Sequence, residues 1–208
     1  LPFSGVLECH GCREGMLPDI RYHLGQQELA IRPDFDGEER NIGLELVLDV
    51  SIRVYEEERL EIISDIYGVS REISTTTHNA QLRRLLCKVT GKTKVTDRMK
   101  VAGGTVLQLL HSEAAVALEQ QSTVENGILL QGSLQVKVMY ITGEDESPYG
   151  SAQARIPYQY TLEVPDIAPE DMGEVHAEVE QLQATMLDGE EMDVKAVLSF
   201  STVVFQNV

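Results

Sequence analysis

Tryptophan is absent from the 208 residues, and aromatic residues of all kinds make up only 5%. Any core must therefore be built mainly from aliphatic side chains. Hydrophobic residues reach 42%, enough for an ordinary core, and the length suits one large domain or two small ones. Cysteine is scarce: Cys9, Cys12 and Cys87 are too few for a disulfide scaffold. No apolar run is long enough to span a bilayer as a helix. Basic residues are also few, 17 against 34 acidic ones, for a net charge of −17. That balance argues against general nucleic-acid binding, which draws its free energy from counterions released by basic side chains. It favours an acidic solvated surface, or partners bearing cations or basic patches. Several motifs of known chemistry are missing too. There is no G-x-S-x-G elbow, no second CxxC and no EF-hand spacing, and Gly103-Gly104 lacks the lysine of a phosphate loop. The start shows neither methionine nor a basic-then-apolar leader, so a fragment or a processed form is expected.

What the chain does contain is a repeated strand. Asp36–Tyr55 reads DGEERNIGLELVLDVSIRVY, and Asp188–Phe205 reads DGEEMDVKAVLSFSTVVF. Each opens on a turn signal followed by two acids, then alternates apolar and polar residues. In the first copy Leu44, Leu46, Leu48, Val50, Ile52 and Val54 share one face. Glu45, Asp49, Ser51 and Arg53 take most of the other, with Val47 as the exception. In the second, Val194, Ala196, Leu198, Phe200 and Val204 face one way, and Lys195, Ser199 and Ser201 the other. A period of two predicts one buried and one wet face. The echo extends upstream, where LPFSGVLE at 1–8 parallels IPYQYTLE at 156–163. The chain thus reads as starting partway through a β-unit that it later contains in full.

Taken in order, strands are expected over 1–8, 20–31, 42–55, 82–101, 128–142, 151–164 (a pair broken at Pro157), 173–186 and from Asp188 onward. Between them lie turns at Asp36-Gly37, Asn126-Gly127 and Asp188-Gly189. Residues 60–67 add further apolar positions, and the polar stretch 70–81 reads as a linker. Val106–Gln121 has helix-forming composition, but in a strand-rich chain its expected state is strand. Many similar strands joined by short turns predict an all-β fold: β-sandwich-like modules of antiparallel strands, in tandem, with a partial first copy. The domains read as 1–81, the second half of a first repeat plus linker, and 82–208, a complete β-domain.

One strand stands out by charge. Between residues 83 and 100 there are seven basic residues and one acid, Asp97. Cys87, Val89, Val95, Met99 and Val101 fall on one parity, and Lys88, Lys92, Lys94, Arg98 and Lys100 on the other. Three readings stand. The lysines protect an edge strand from aggregation; they form an electrostatic docking face for an acidic patch on a copy or partner; or they meet a polyanionic glycan or nucleic acid.

The run ILLQGSLQVKVMYITGEDESPYGSAQARIPYQYTLEV at 128–164 resembles the SPOCS domain of endospore-forming Firmicutes and Clostridia. The segment LLCKVTGKTKVTDRMKVAGG and the final DGEE strand are similar to it as well. The pattern comprises an apolar-x-Gly strand, an aliphatic-Tyr pair, an acidic loop, an I-P-aromatic turn and a later D-G strand. Here those features are Gly132, Tyr140, Asp145, Ile156-Pro157-Tyr158 and Asp188-Gly189. The resemblance covers about residues 82–206. It implies a non-enzymatic structural or interaction protein of the spore envelope, in the coat or another outer layer assembled by the mother cell. Its implied partners are copies of itself or other spore-coat proteins, with no nucleic acid and no transmembrane segment. The LysM module of some members is not recognisable here. A carbohydrate- or cell-wall-binding β-sandwich is the alternative.

No catalytic, cofactor or metal residues are assigned. Cys9-His10-Gly11-Cys12 could supply two of the four ligands of a structural zinc site. A redox CxxC would sit in a βαβ setting, which the pattern lacks. A disulfide among Cys9, Cys12 and Cys87, within or between chains, and free thiols both remain open. The acidic runs 56–58, 144–146 and 190–191 read as solvated loops, and no two carboxylates are singled out as a hydrolytic pair.

Overall fold

Period-two alternation becomes eight strands among the described residues. They are β1 (Leu17–Pro33), β2 (Glu39–Tyr55), β3 (Arg83–Lys100), β4 (Val106–Val124), β5 (Gly127–Thr142), β6 (Tyr149–Glu163), β7 (Met172–Met186) and β8 (Glu191–Asn207). The computed structural model describes residues 3–101 and 105–208, so Leu1, Pro2 and the Gly103-Gly104 pair lie outside the described residues. Every ladder is antiparallel. The expected all-β class holds, and Val106–Gln121 is strand despite its composition. The chain divides into two compact units, Leu1–Thr76 and Thr77–Val208.

The second unit is a β-sandwich. One sheet has the order β3-β8-β7 and the other β4-β5-β6. Their inner faces meet in a single core. β5 supplies Leu130, Leu134, Val136, Val138 and Tyr140, and β8 supplies Val194, Ala196, Leu198, Phe200 and Val204, all buried. In each sheet the central strand is the most apolar, because it is flanked on both sides. Along the two margins β4 runs beside β7 and β3 beside β6, and Gln121 Nε2 donates to Gly173 O at 3.3 Å across the first.

With no tryptophan, Tyr140 and Phe200 are the largest fully buried side chains, and glycines make room for the tyrosines. Tyr158 pairs with Gly132 across the β5–β6 ladder. A Cβ on Gly132 would lie 2.0 Å from Ala117 O and 2.7 Å from the Tyr158 hydroxyl. Tyr140 lies over Gly150 in the same way. Tyr158 and Tyr160 both pack on Phe200, with ring centroids 5.6 and 5.4 Å away. These contacts join the two sheets.

The first unit holds one hairpin, β1–β2. Its turn differs in detail from the sequence expectation. Gly37 takes the positive φ of 81°, but the capping carboxylate is that of Asp34, whose Oδ1 accepts from Asp36 N at 2.9 Å and Glu38 N at 3.3 Å. In the β7–β8 turn Asp188 has this role, accepting from Glu190 N and Glu191 N at 2.8 Å each.

Two expected strands are corrected. Residues 3–8 form no strand, since no ladder pairs their backbone. Ser151–Val164 is not broken at Pro157: β6 runs unbroken from Tyr149 to Glu163, with Pro157 opposite Ser133. β6 is an outer strand of its sheet, a position where a proline without N–H is tolerated when it faces away from the ladder.

Candidate interaction surface

The basic strand lies at the margin of the β3-β8-β7 sheet. Its register on β8 turns Val95 and Met99 into the core, and leaves Lys88, Lys92, Lys94, Arg98 and Lys100 exposed. The strand is not electrostatically isolated, because the far margin of the same sheet is acidic. Lys92 and Glu178 both stand opposite Ser199, and Lys88 and Glu174 both stand opposite Val203. Cross-strand partners share a face, so a row of cations and a row of carboxylates flank the small residues of β8. Ser199 and Val203 are buried between them although they point away from the core.

A salt bridge crosses that gap. β7 carries an extra residue between Val179 and Gln181. This bulged residue is Glu180, and its Oε1 lies 2.7 Å from Lys92 Nζ. A bulge re-aims the side chain it carries, here across the central strand. Lys100 approaches Glu191 at 4.0 Å. Lys94 and Arg98 have no side-chain ion pair among the described residues. Lys94 lines a shallow groove with Thr96, Glu180, Gln183 and Lys195. Only three Lys or Arg residues follow residue 100, namely Lys137, Arg155 and Lys195. Each has a carboxylate partner: Glu113 at 3.7 Å, Glu119 at 2.6 Å and Asp193 at 2.8 Å.

A second polar cluster on the β4-β5-β6 sheet was not visible in the sequence. β4 is bulged between Leu118 and Gln120, and the extra residue is Glu119. Ser133 Oγ donates to Glu119 Oε1 at 2.6 Å, and Arg155 donates to both, through Nε to Ser133 Oγ at 3.0 Å and through Nη2 to Glu119 at 2.6 Å. The hydrogen bond from Ser133, then that from Arg155, hold the Glu119 carboxyl below its ordinary range. Burial, and secondarily the Glu119 charge, push the Tyr158 phenol up. Its hydroxyl donates to Ala117 O at 3.2 Å. A carboxylate stabilised in this way is a weaker base, and the serine hydroxyl is committed to it. The arrangement ties three strands together. The available clue was Arg155, the one cation between residues 138 and 194.

Cys9 and Cys12 are joined as a disulfide across a tight turn, with Cα atoms 5.8 Å apart, so neither is a free thiolate ligand. Cys87 is free and half-buried, and burial raises its thiol pKa. No group of three or more His, Cys, Asp or Glu placed to hold a metal ion occurs among the described residues. No helix among them is long and apolar enough to cross a membrane.

Residues 105–187, which span β4 to β7, match the family model described as SipL, SPOCS domain. The chain carries a SPOCS domain. This domain is associated with sporulation. In this sandwich the matched strands are completed by β3 and β8, which lie outside the matched range. The basic strand therefore flanks the matched SPOCS residues. The pattern residues Gly132 and Tyr158 meet at the aromatic contact between the sheets, Tyr140 lies in the core, Asp188 caps the last turn, and Asp145 is exposed in the acidic loop. No curated protein and no solved structure matches the chain.

Proposed function

We propose that this SPOCS protein is a non-enzymatic interaction module of the spore envelope, in the coat or another outer layer made by the mother cell. It docks onto copies of itself or other coat proteins through charged strand faces. The observation that carries this reading is the two-signed outer face of the β3-β8-β7 sheet. It has a basic margin with Lys94 and Arg98 unpaired among the described residues, and an acidic margin on β7. A surface of both signs can meet a second such surface in an antiparallel sense, each basic margin on the other's acidic margin. Complementary charge of this kind sets register and steers encounter. The carbohydrate-binding alternative has less support in the second unit, where Tyr149 is the only exposed aromatic among the described residues; the exposed rings Phe3, Tyr22, Phe35 and Tyr67 belong to the first unit.

The test is sedimentation of the purified chain, alone and with extracted coat proteins, at low and high salt. Association should weaken with salt and be lost in a Lys94→Glu/Arg98→Glu double variant that keeps its β circular-dichroism spectrum. Association unaffected by both salt and charge reversal would overturn the proposal.

A further inference from the structure

The β1–β2 hairpin is built like β7–β8. The second strand has 17 residues in each pair, and the first has 17 in β1 and 15 in β7. Both turns are DGEE turns capped by an aspartate. In both pairs the first strand carries one extra residue near its middle, between Leu24 and Gln27 in β1 and between Val179 and Gln181 in β7. Superposing the DGEE motifs sets Leu44, Leu46, Leu48 and Ile52 on Ala196, Leu198, Phe200 and Val204.

Their environments differ. Leu198 is completely buried, whereas Leu46 is 42% exposed. Across the ladder, Ile20, Tyr22, Leu24, Leu29 and Ile31 stand opposite Ile52, Val50, Leu48, Leu44 and Ile42, so they extend the same apolar face. All five are exposed. No charged side chain falls among these cross-strand pairs. In the second unit the matching face is covered by the β4-β5-β6 sheet, and β6 brings Tyr158 onto Phe200. The counterpart of that strand also exists in the first unit. Residues 3–8 correspond to 158–163, and Phe3 lies edge-on against Tyr22 with ring centroids 6.1 Å apart. Phe3, which corresponds to Tyr158, thus already touches this face, while residues 3–8 have no ladder partners.

We infer that the apolar face of β1–β2, with residues 3–8, is a docking site for one kind of occupant: a pair of antiparallel strands of β4–β5 character. Such strands present an aliphatic inner row like Leu130, Leu134, Val136 and Val138, and a second strand able to pair with residues 3–8 as β5 pairs with β6. Docking covers the apolar face of β1–β2 as the β4-β5-β6 sheet covers that of β7–β8. The inference does not depend on the basic face of β3, and its driving force is apolar, so it strengthens rather than weakens in kosmotropic salts such as sulfate.

The full chain extended by a copy of its own residues 105–155 placed ahead of Leu1 tests this. The added strands then run into Leu1-Pro2-Phe3 as Arg155 runs into Ile156-Pro157-Tyr158. Hydrogen exchange should show the amides of residues 17–55 slowed to the range of residues 172–207, at least tenfold slower than in the parent. Leu46→Lys should abolish that protection in the extended protein and leave the parent unchanged. Exchange in 17–55 at the parent rate would overturn the inference. So would a parent chain that already protects this hairpin as a dimer and loses protection on Leu46→Lys, because the occupant would then be a second hairpin. Neither result bears on the charge-reversal test of β3.

Discussion

At the residue scale the sandwich rests on rings placed over backbone. Gly132 has no side chain, so the Tyr158 ring can cross it and reach Ala117 O. Gly132→Ala forces either the ring or the neighbouring strand to shift. The expected cost is that of overpacking, about 1–3 kcal/mol, read from the denaturant midpoint by circular dichroism. The Glu119 cluster gives a pH prediction. Its folded-state pKa lies below its unfolded value, so its stabilising effect is present above the unfolded pKa and is lost as pH falls through the folded pKa. Removing the largest cause with Ser133→Ala should move the Glu119 titration upward in carboxyl NMR. An unchanged midpoint would show that the serine hydrogen bond does not set it. Cys87 should be the one cysteine that reacts with a thiol reagent before reductant is added. It should react slowly near neutral pH, because burial raises its pKa and the thiolate is the reactive form.

At the element scale β2 and β8 are a natural pair for comparison, with similar patterns in different surroundings. Leu198→Ala removes a fully buried side chain and should cost about 2–5 kcal/mol. Leu46→Ala, at the matching position of the exposed hairpin face, should change stability by about 0.5 kcal/mol or less. Equal losses at the two sites would mean that the β1–β2 face is covered in solution. The Lys92–Glu180 bridge is an element-scale device too, since it exists only because β7 is bulged at that point. Both side chains are partly exposed, so a double-mutant cycle should give a coupling of roughly 0–1 kcal/mol that falls with salt.

At the scale of the whole molecule, a net charge of −17 sets a long-range repulsion between copies. The docking between copies proposed above would therefore act at short range through local complementarity, and the one strongly basic segment of the chain lies on an outer strand. Much of this was legible in sequence. The parity of residues 83–100 predicted which side chains face out, and the structure places Val95 and Met99 inside and Lys92 and Lys94 outside. The Asn126-Gly127 and Asp188-Gly189 turns also stood out, because each depends on its own few residues. Less legible was anything set by register. Nothing in AAVALEQQ marks Glu119 as the bulged residue, and nothing in VEQLQ marks Glu180, since a bulge arises from the mismatch of two ladders rather than from either strand. The continuity of β6 through Pro157 was hidden for a similar reason: proline is tolerated there because β6 lies at the margin of its sheet, a fact of strand order.

Alternation of side chains along the backbone is local, so the sequence by itself determined the all-β class, the outward face of the basic strand and the echo between the two DGEE strands. The tertiary structure decided which of those two like strands is buried. β8 has the β4-β5-β6 sheet across from it, with Tyr158 and Tyr160 packed on Phe200. The β1–β2 hairpin has Phe3 on Tyr22. Burial depends on what lies opposite a face, and period two specifies only that there is a face to cover.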